Sequence, residues 1–257
     1  HAVDLVIQSS QARAENIVKL LLPGEDLTGN VDNRVVLSGT LKDIEAEGDI
    51  SFHEGSFRKI LLREAHGKYK RKAGRTTIED FLVSSPNLNV KINGAISETD
   101  ELNFDILADE IDLAKVRLNF PYQVEGKAKF AGKLQGTIEK PIFSGNLTSD
   151  TAWFNGNELR NIDGEVRYEN NEFRLDSFGF KQGDGSFDLS ARFNLATKQM
   201  RGDLIVKNSD VAGLLEILNV KQDWLFGRLN GDIHLEGSAE KPKIRMNGTV
   251  TKKKKKK

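Results

Sequence analysis

Between Phe187 and Leu195 apolar and polar residues alternate without a break: Phe187, Leu189, Ala191, Phe193 and Leu195 are interleaved with Asp188, Ser190, Arg192 and Asn194. A repeat of two is the repeat of the β-pleat, whose successive side chains leave opposite faces. The same alternation runs through Leu88, Val90, Ile92, Gly94 and Ile96; through Ala128, Phe130, Gly132, Leu134, Gly136 and Ile138; and through Leu229, Gly231, Ile233, Leu235 and Gly237. Asn155-Gly156-Asn157, Glu169-Asn170-Asn171 and Gly183-Asp184-Gly185 punctuate the pattern with residues that tolerate the positive φ of tight hairpins. The expected fold is all-β, mainly strands with short helices, with one greasy face and one wet face.

The pattern recurs at long range. Gly126, Gly136 and Glu139-Lys140-Pro141 return 101 positions later as Gly227, Gly237 and Glu240-Lys241-Pro242. Gly29, Gly39, Gly48 and Gly67 precede Gly126, Gly136, Gly145 and Gly164 by 97, and Asp105 and Asp112 precede Asp203 and Asp210 by 98. The chain therefore reads as about two and a half copies of one unit: the end of a copy over 1–28, whole copies over 29–123 and 124–224, and the start of another over 225–250. Each copy is expected to close with a short helix that plugs one edge or end of the sheet. Val211, Leu214, Leu215 and Leu218 form one apolar stripe behind a cap at Ser209 or Asp210. Asp112 to Leu118, stopped by Pro121, and Gln11 to Leu22, stopped by Pro23, are the equivalents. Because it begins at His1 and stops inside a repeat, we read the chain as part of a longer protein.

Charge excludes some functions. The lysine run Lys252 to Lys257 is set aside as a non-native tail; without its six lysines, 32 basic residues face 38 acidic ones, a net charge of −6. That sign argues against a nucleic-acid groove. No apolar run exceeds three residues, too short for a membrane helix. The absence of cysteine excludes thiolate chemistry and suits an oxidising compartment. His1, His53, His66 and His234 show no metal-ligand spacing. Gly126 and Gly132-Lys133 lack both the spacing and the Ser/Thr of a phosphate loop, and Ser56 sits in no nucleophile elbow. No enzymatic activity, metal or cofactor is expected. The basic stretch Arg58-Lys59, Arg63, Lys68, Lys70-Arg71-Lys72 and Arg75 reads as a solvated outer face, with contact to anionic headgroups as the alternative.

What remains is the apolar face. Its expected lining comprises Val35, Leu37, Leu41, Ile50 and Phe52, then Leu88, Val90, Ile92, Ile96, Phe104 and Ile106. It continues through Ala128, Phe130, Leu134, Ile138, Ile162, Val166, Phe173 and Leu175. Phe187, Leu189, Phe193, Leu195, Leu204, Val206, Leu229, Ile233 and Leu235 complete it. Fourteen Phe against three Tyr and two Trp make the aromatic surface one for hydrocarbon rather than for sugars or bases.

The recurrent spacing Gly126-x9-Gly136-Thr137-Ile138-Glu139-Lys140-Pro141-x3-Gly145, repeated from Gly227 to Met246 behind a helical stripe, resembles the repeats of the TamB/AsmA-like family of diderm bacteria. Met246 departs from the pattern where the first copy has Gly145. The resemblance implies an elongated, twisted sheet folded into a taco-like hydrophobic groove. It implies a periplasmic location with an inner-membrane anchor outside this chain, and a BamA-type outer-membrane barrel as partner. The implied function is movement of glycerophospholipid between the membranes, its acyl chains in the groove. The alternative is a scaffold that assists assembly of outer-membrane proteins through strand-edge contacts.

Overall fold

The computed structural model describes residues 2–16, 27–41, 43–57, 60–86, 88–115, 123–217, 226–238 and 241–251. The strands are β1 (Ala2–Arg13), β2 (Leu27–Thr40), β3 (Asp43–Phe57), β4 (Ile60–Lys72), β5 (Arg75–Ser84), β6 (Leu88–Ile96), β7 (Glu101–Asp112) and β8 (Val124–Thr137). They continue as β9 (Pro141–Phe154), β10 (Asn157–Glu169), β11 (Glu172–Gln182), β12 (Gly185–Asn194), β13 (Gln199–Asp210), β14 (Arg228–Ser238) and β15 (Lys241–Thr251). All fifteen form one antiparallel sheet in chain order, and the sheet is not closed. The protein is therefore all-β with short helices. A meander of this kind needs tight turns, and the sequence supplies them: Asn155 and Gly156 have φ of 49° and 77°, Asn170 and Asn171 of 50° and 62°.

Six strands, β2 to β7, lead to a 3₁₀ turn at Leu113–Lys115; six more, β8 to β13, lead to helix α1 (Val211–Ile217). The helix after β13 begins at Val211 as expected, but the other two begin later than the sequence predicts. Gln11 to Arg13 and Asp112 are strand, residues 14–16 and 113–115 are helical, and residues 17–22 and 116–118 of the expected segments lie outside the described residues, as does Leu218. The cap also differs. Val211 N–H donates to the carbonyl of Gly227 at 3.1 Å, while the buried Ser209 hydroxyl turns to the Asp210 carbonyl at 3.2 Å.

The strand ends before these helices share a device. Pairing shifts register between Ser9 and Ala12 on β1 and between Val206 and Ser209 on β13, and the inserted residues Gln11 and Asn208 have φ of 52° and 51°. Their amide N–H groups donate to side chains on the following strand, Gln11 to Asp32 Oδ1 at 2.7 Å and Asn208 to Asn230 Oδ1 at 2.9 Å. The recurrent glycines repeat in conformation as well as in sequence: φ is 133°, 120° and 141° at Gly29, Gly126 and Gly227. A Cβ on Gly126 would stand 2.9 Å from Ala152 Cα, so this tight approach needs glycine.

The Gln11 amide, followed by the side chain of Ser10 and by His53, holds the Asp32 carboxyl below its ordinary value of 3.8. With the folded value depressed, the contact stabilises β1 fully above the ordinary value and is lost as pH falls through the lower folded one. The Gln11 amide resonance should accordingly titrate with a midpoint below 3.8, and Asp32→Asn should remove that titration.

The chain forms two compact units, residues 1–109 with 131–141 and residues 110–130 with 142–257. In the first, Ala14, Val31, Phe52 and Ala65 are buried together with Leu27, Leu62, Phe81 and Val83 around them. In the second, Val211, Leu214 and Leu215 of α1 pack on Phe187, Leu204, Val206, Leu229 and Ile233. A smaller core there joins Leu113 to Ala152, Leu159 and Ile162.

Candidate functional site

Strand pairing sets the expected apolar residues opposite one another. In the first unit, Leu5, Leu37 and Ala46 form one row; Ile7, Val35, Gly48, Tyr69, Ile78 and Gly94 the next; and Val31, Phe52, Ala65, Val83 and Val90 another. Ile50 stands opposite Gly67, Ile92 opposite Phe81 and Ile96 opposite Thr76. Leu88, Phe104, Ile106 and Leu134 lie at least partly buried on their strands. In the second unit, Phe178, Leu189, Leu204, Ile233 and Met246 form one row. Phe180, Phe187 and Val206 form a second, and Val166, Leu175, Ala191, Gly202, Leu235 and Ile244 a third. Leu229 opposes Ser209, Ile162 opposes Ser149, and Ala128 and Phe130 are buried on β8. Phe143, Tyr168, Phe173, Phe193 and Met200 run as a ladder, with Phe130 stacked on Phe143 at 4.5 Å.

Leu41, Ile138 and Leu195 are placed differently. Each lies one residue past the end of its strand, exposed in a turn, because alternation in sequence continues where backbone pairing has stopped. Sequence reasoning also missed residues that share the face: Leu5, Ile7, Phe81, Phe178 and Phe180. Bulges explain several of these. Asp80 and Ser177, with φ of 47° and 48°, insert one residue and so reverse which parity points inward. An Asp or Ser interrupting a run is the only signal they leave.

The face is not wholly apolar in the first unit. Tyr69 donates to Asn33 Oδ1 at 3.1 Å, and burial pushes the Tyr69 phenol above its ordinary value. Arg71 pairs with Ala46 and Thr76 on this same face.

The wet face is a lattice of ion pairs. Lys72 meets Glu45 at 2.6 Å and Lys70 meets Glu47 at 3.0 Å, while Lys68 stands opposite Asp49 and Glu79. Much of the basic stretch is thus matched by acidic residues on neighbouring strands; Arg58 and Lys59 lie outside the described residues. Three histidines sit beside carboxylates: His53 and Asp32 at 3.2 Å, His234 and Asp203 at 2.6 Å, and His66 and Glu64 at 3.3 Å. The last pair is close but not aligned as a hydrogen bond. Among the described residues no three His, Asp or Glu side chains gather as a metal site, and no helix is long and apolar enough to cross a membrane. A shallow concavity of about 500 Å³ in the first unit is lined by Lys91, Asn93, Asp105, Leu107, Ala131 and Lys133. Its lysines are already engaged, Lys133 with Asp105 at 2.6 Å and Lys91 with Asp80 at 2.7 Å, which leaves the apolar face as the candidate site. Comparison with family models, curated proteins and solved structures finds no match to any of them.

Proposed function

We propose that the apolar face is a lane for the acyl chains of glycerophospholipid, and that the chain is a section of a TamB/AsmA-like bridge between the inner and outer membranes. The observation that carries this reading is the incomplete cover of large apolar side chains in register on that face. On interior strands, Leu37, Ile78 and Ile92 in the first unit and Phe173, Leu189 and Phe193 in the second stand in register on that face and are only half-buried. Drawing a sixteen-carbon chain through water exposes about 0.8 kcal/mol per CH₂, roughly 13 kcal/mol in all. Neighbouring apolar rows lower that barrier, because a chain leaves one row only as it enters the next. No residue has to react. Direction comes from a gradient or a partner, such as the BamA-type barrel that the resemblance implies, and the setting is the periplasm.

The test is native mass spectrometry of the purified chain, which should find phospholipid bound. Phe193→Glu combined with Leu235→Glu, both at half-buried positions, should remove it while circular dichroism stays that of a sheet. Undiminished lipid in that folded variant would refute the lane. Phe130 and Phe187 are unsuitable for this purpose, since both are fully packed.

A second reading, a scaffold that takes strands at a sheet edge, is favoured by β1. Within this chain β1 carries Leu5, Val6 and Ile7 with Asp4 as the one charge before Arg13, a composition that strand pairing tolerates. That reading predicts capture of an alternating apolar peptide by the lipid-free protein, abolished by proline in the peptide.

A further inference from the structure

Arg71 is a charged side chain on the apolar face. Its row reads Leu5, Leu37, Ala46, Arg71, Thr76 and Ile96. Its sequence neighbours Lys70 and Lys72 point to the other face, where Glu47 and Glu45 neutralise them. Arg71 makes no ion pair among the described residues. Its Nη1 donates to Thr76 Oγ1 at 3.2 Å, which fixes the guanidinium, and among the described residues its other N–H groups have no partner.

The fold does not require a charge here. Gly67 and Gly164 hold equivalent places, since a Cβ on either would strike a phenylalanine, Phe81 or Phe178, at 2.7 and 2.5 Å. Counting the same 97 positions from Arg71 reaches Tyr168, which stands on the corresponding face opposite Phe143 and Phe173. The second copy fills the position without a cation.

Along β4 the inward-facing residues run from Arg71 at the exposed strand end through Tyr69 and Gly67 to the buried Ala65. That order, cation, amphipathic ring, small residue, core, is complementary to an amphiphile whose anionic head lies at the rim and whose tail points inward. A guanidinium offers parallel N–H donors that fit the oxygens of a phosphate. We propose that Arg71 binds the phosphodiester of a glycerophospholipid on the apolar face and favours headgroups of net negative charge. Phosphatidylethanolamine is a weaker ligand, because its own ammonium already faces its phosphate.

This inference rests on the lipid reading, and one experiment separates the two. The purified chain is incubated with vesicles of equimolar phosphatidylglycerol and phosphatidylethanolamine, repurified, and its bound lipid counted by class. The wild type should be enriched in phosphatidylglycerol by about fivefold, the factor matching one cation near an anionic surface. Arg71→Gln should bring the ratio to that of the vesicles with total lipid little changed, Arg71→Lys should keep part of the enrichment, and Lys70→Gln, on the opposite face, should keep all of it. Equal enrichment in the wild type and Arg71→Gln would overturn the role of Arg71 and leave the lane standing. Absence of lipid from the wild type would overturn both.

Discussion

Leu204→Lys should unfold the core around α1, while Ile205→Lys, one residue along the same strand, should leave it intact. Leu204 is 6% exposed between Leu189 and Ile233, and Ile205 is 44% exposed between Asp188 and Asp232. A lysine at the first position loses the burial of a leucine and strands an unpaired ammonium among apolar groups, a cost of about 4 kcal/mol or more. At the second position the same lysine stands between two carboxylates, and opposed charges across strands contribute about 0.2–1 kcal/mol. Urea denaturation followed by circular dichroism should therefore show a large fall in midpoint for the first variant and an unchanged or slightly raised midpoint for the second. Equal effects would mean that the period of two does not separate a dry face from a wet one.

That period is also what made the fold legible. Strands such as β12 alternate cleanly because one side of each faces the core. Asn-Gly and Asn-Asn turns announce hairpins, and Gly29, Gly126 and Gly227, spaced by 97 and 101 positions, recur with similar positive φ. What the sequence could not reveal is where alternation changes phase. Leu159 and Ile162 both point inward across Asn161, which has φ of 51°, and Leu175 and Phe178 do so across Ser177. Gln11 leaves no signal at all, since glutamine has no marked preference for the left-handed region. Strand ends were equally hidden: nothing in Gly39-Thr40-Leu41 says that pairing stops at Thr40, so Leu41 looked like one more inward residue.

The candidate face was legible as a set of apolar positions, but not in its polar interruption. Arg71 lies in a run of cations from Lys68 to Lys72, and read as charge alone the run is one solvated stripe. Strand parity divides it. Lys68, Lys70 and Lys72 meet the acidic residues of β3, whereas Tyr69 and Arg71 turn the other way. The distinction comes from pairing partners, which composition does not encode.

The helix at the end of β13 supplies the second large effect. Seven residues do not make a stable helix alone, α1 carries Gly213 in its middle, and its first amide is capped by the Gly227 carbonyl rather than by a side chain. It persists because Val211, Leu214 and Leu215 are buried against Phe187, Leu204, Val206, Leu229 and Ile233. Leu214, fully buried, is the centre of that contact, and Leu214→Ala should cost about 2–5 kcal/mol. Because the helix has no stability of its own to spare, the loss should appear first as undocking. Amide exchange over residues 211–217 should become fast while the hydrogen-bonded centres of β12, β13 and β14 stay protected. Undocking also bares the rows that contain Phe187, Val206 and Leu204. If those rows form a lane for acyl chains, the folded variant should bind more lipid than the wild type; if α1 closes an ordinary dry core, the same change should bring aggregation and no added lipid.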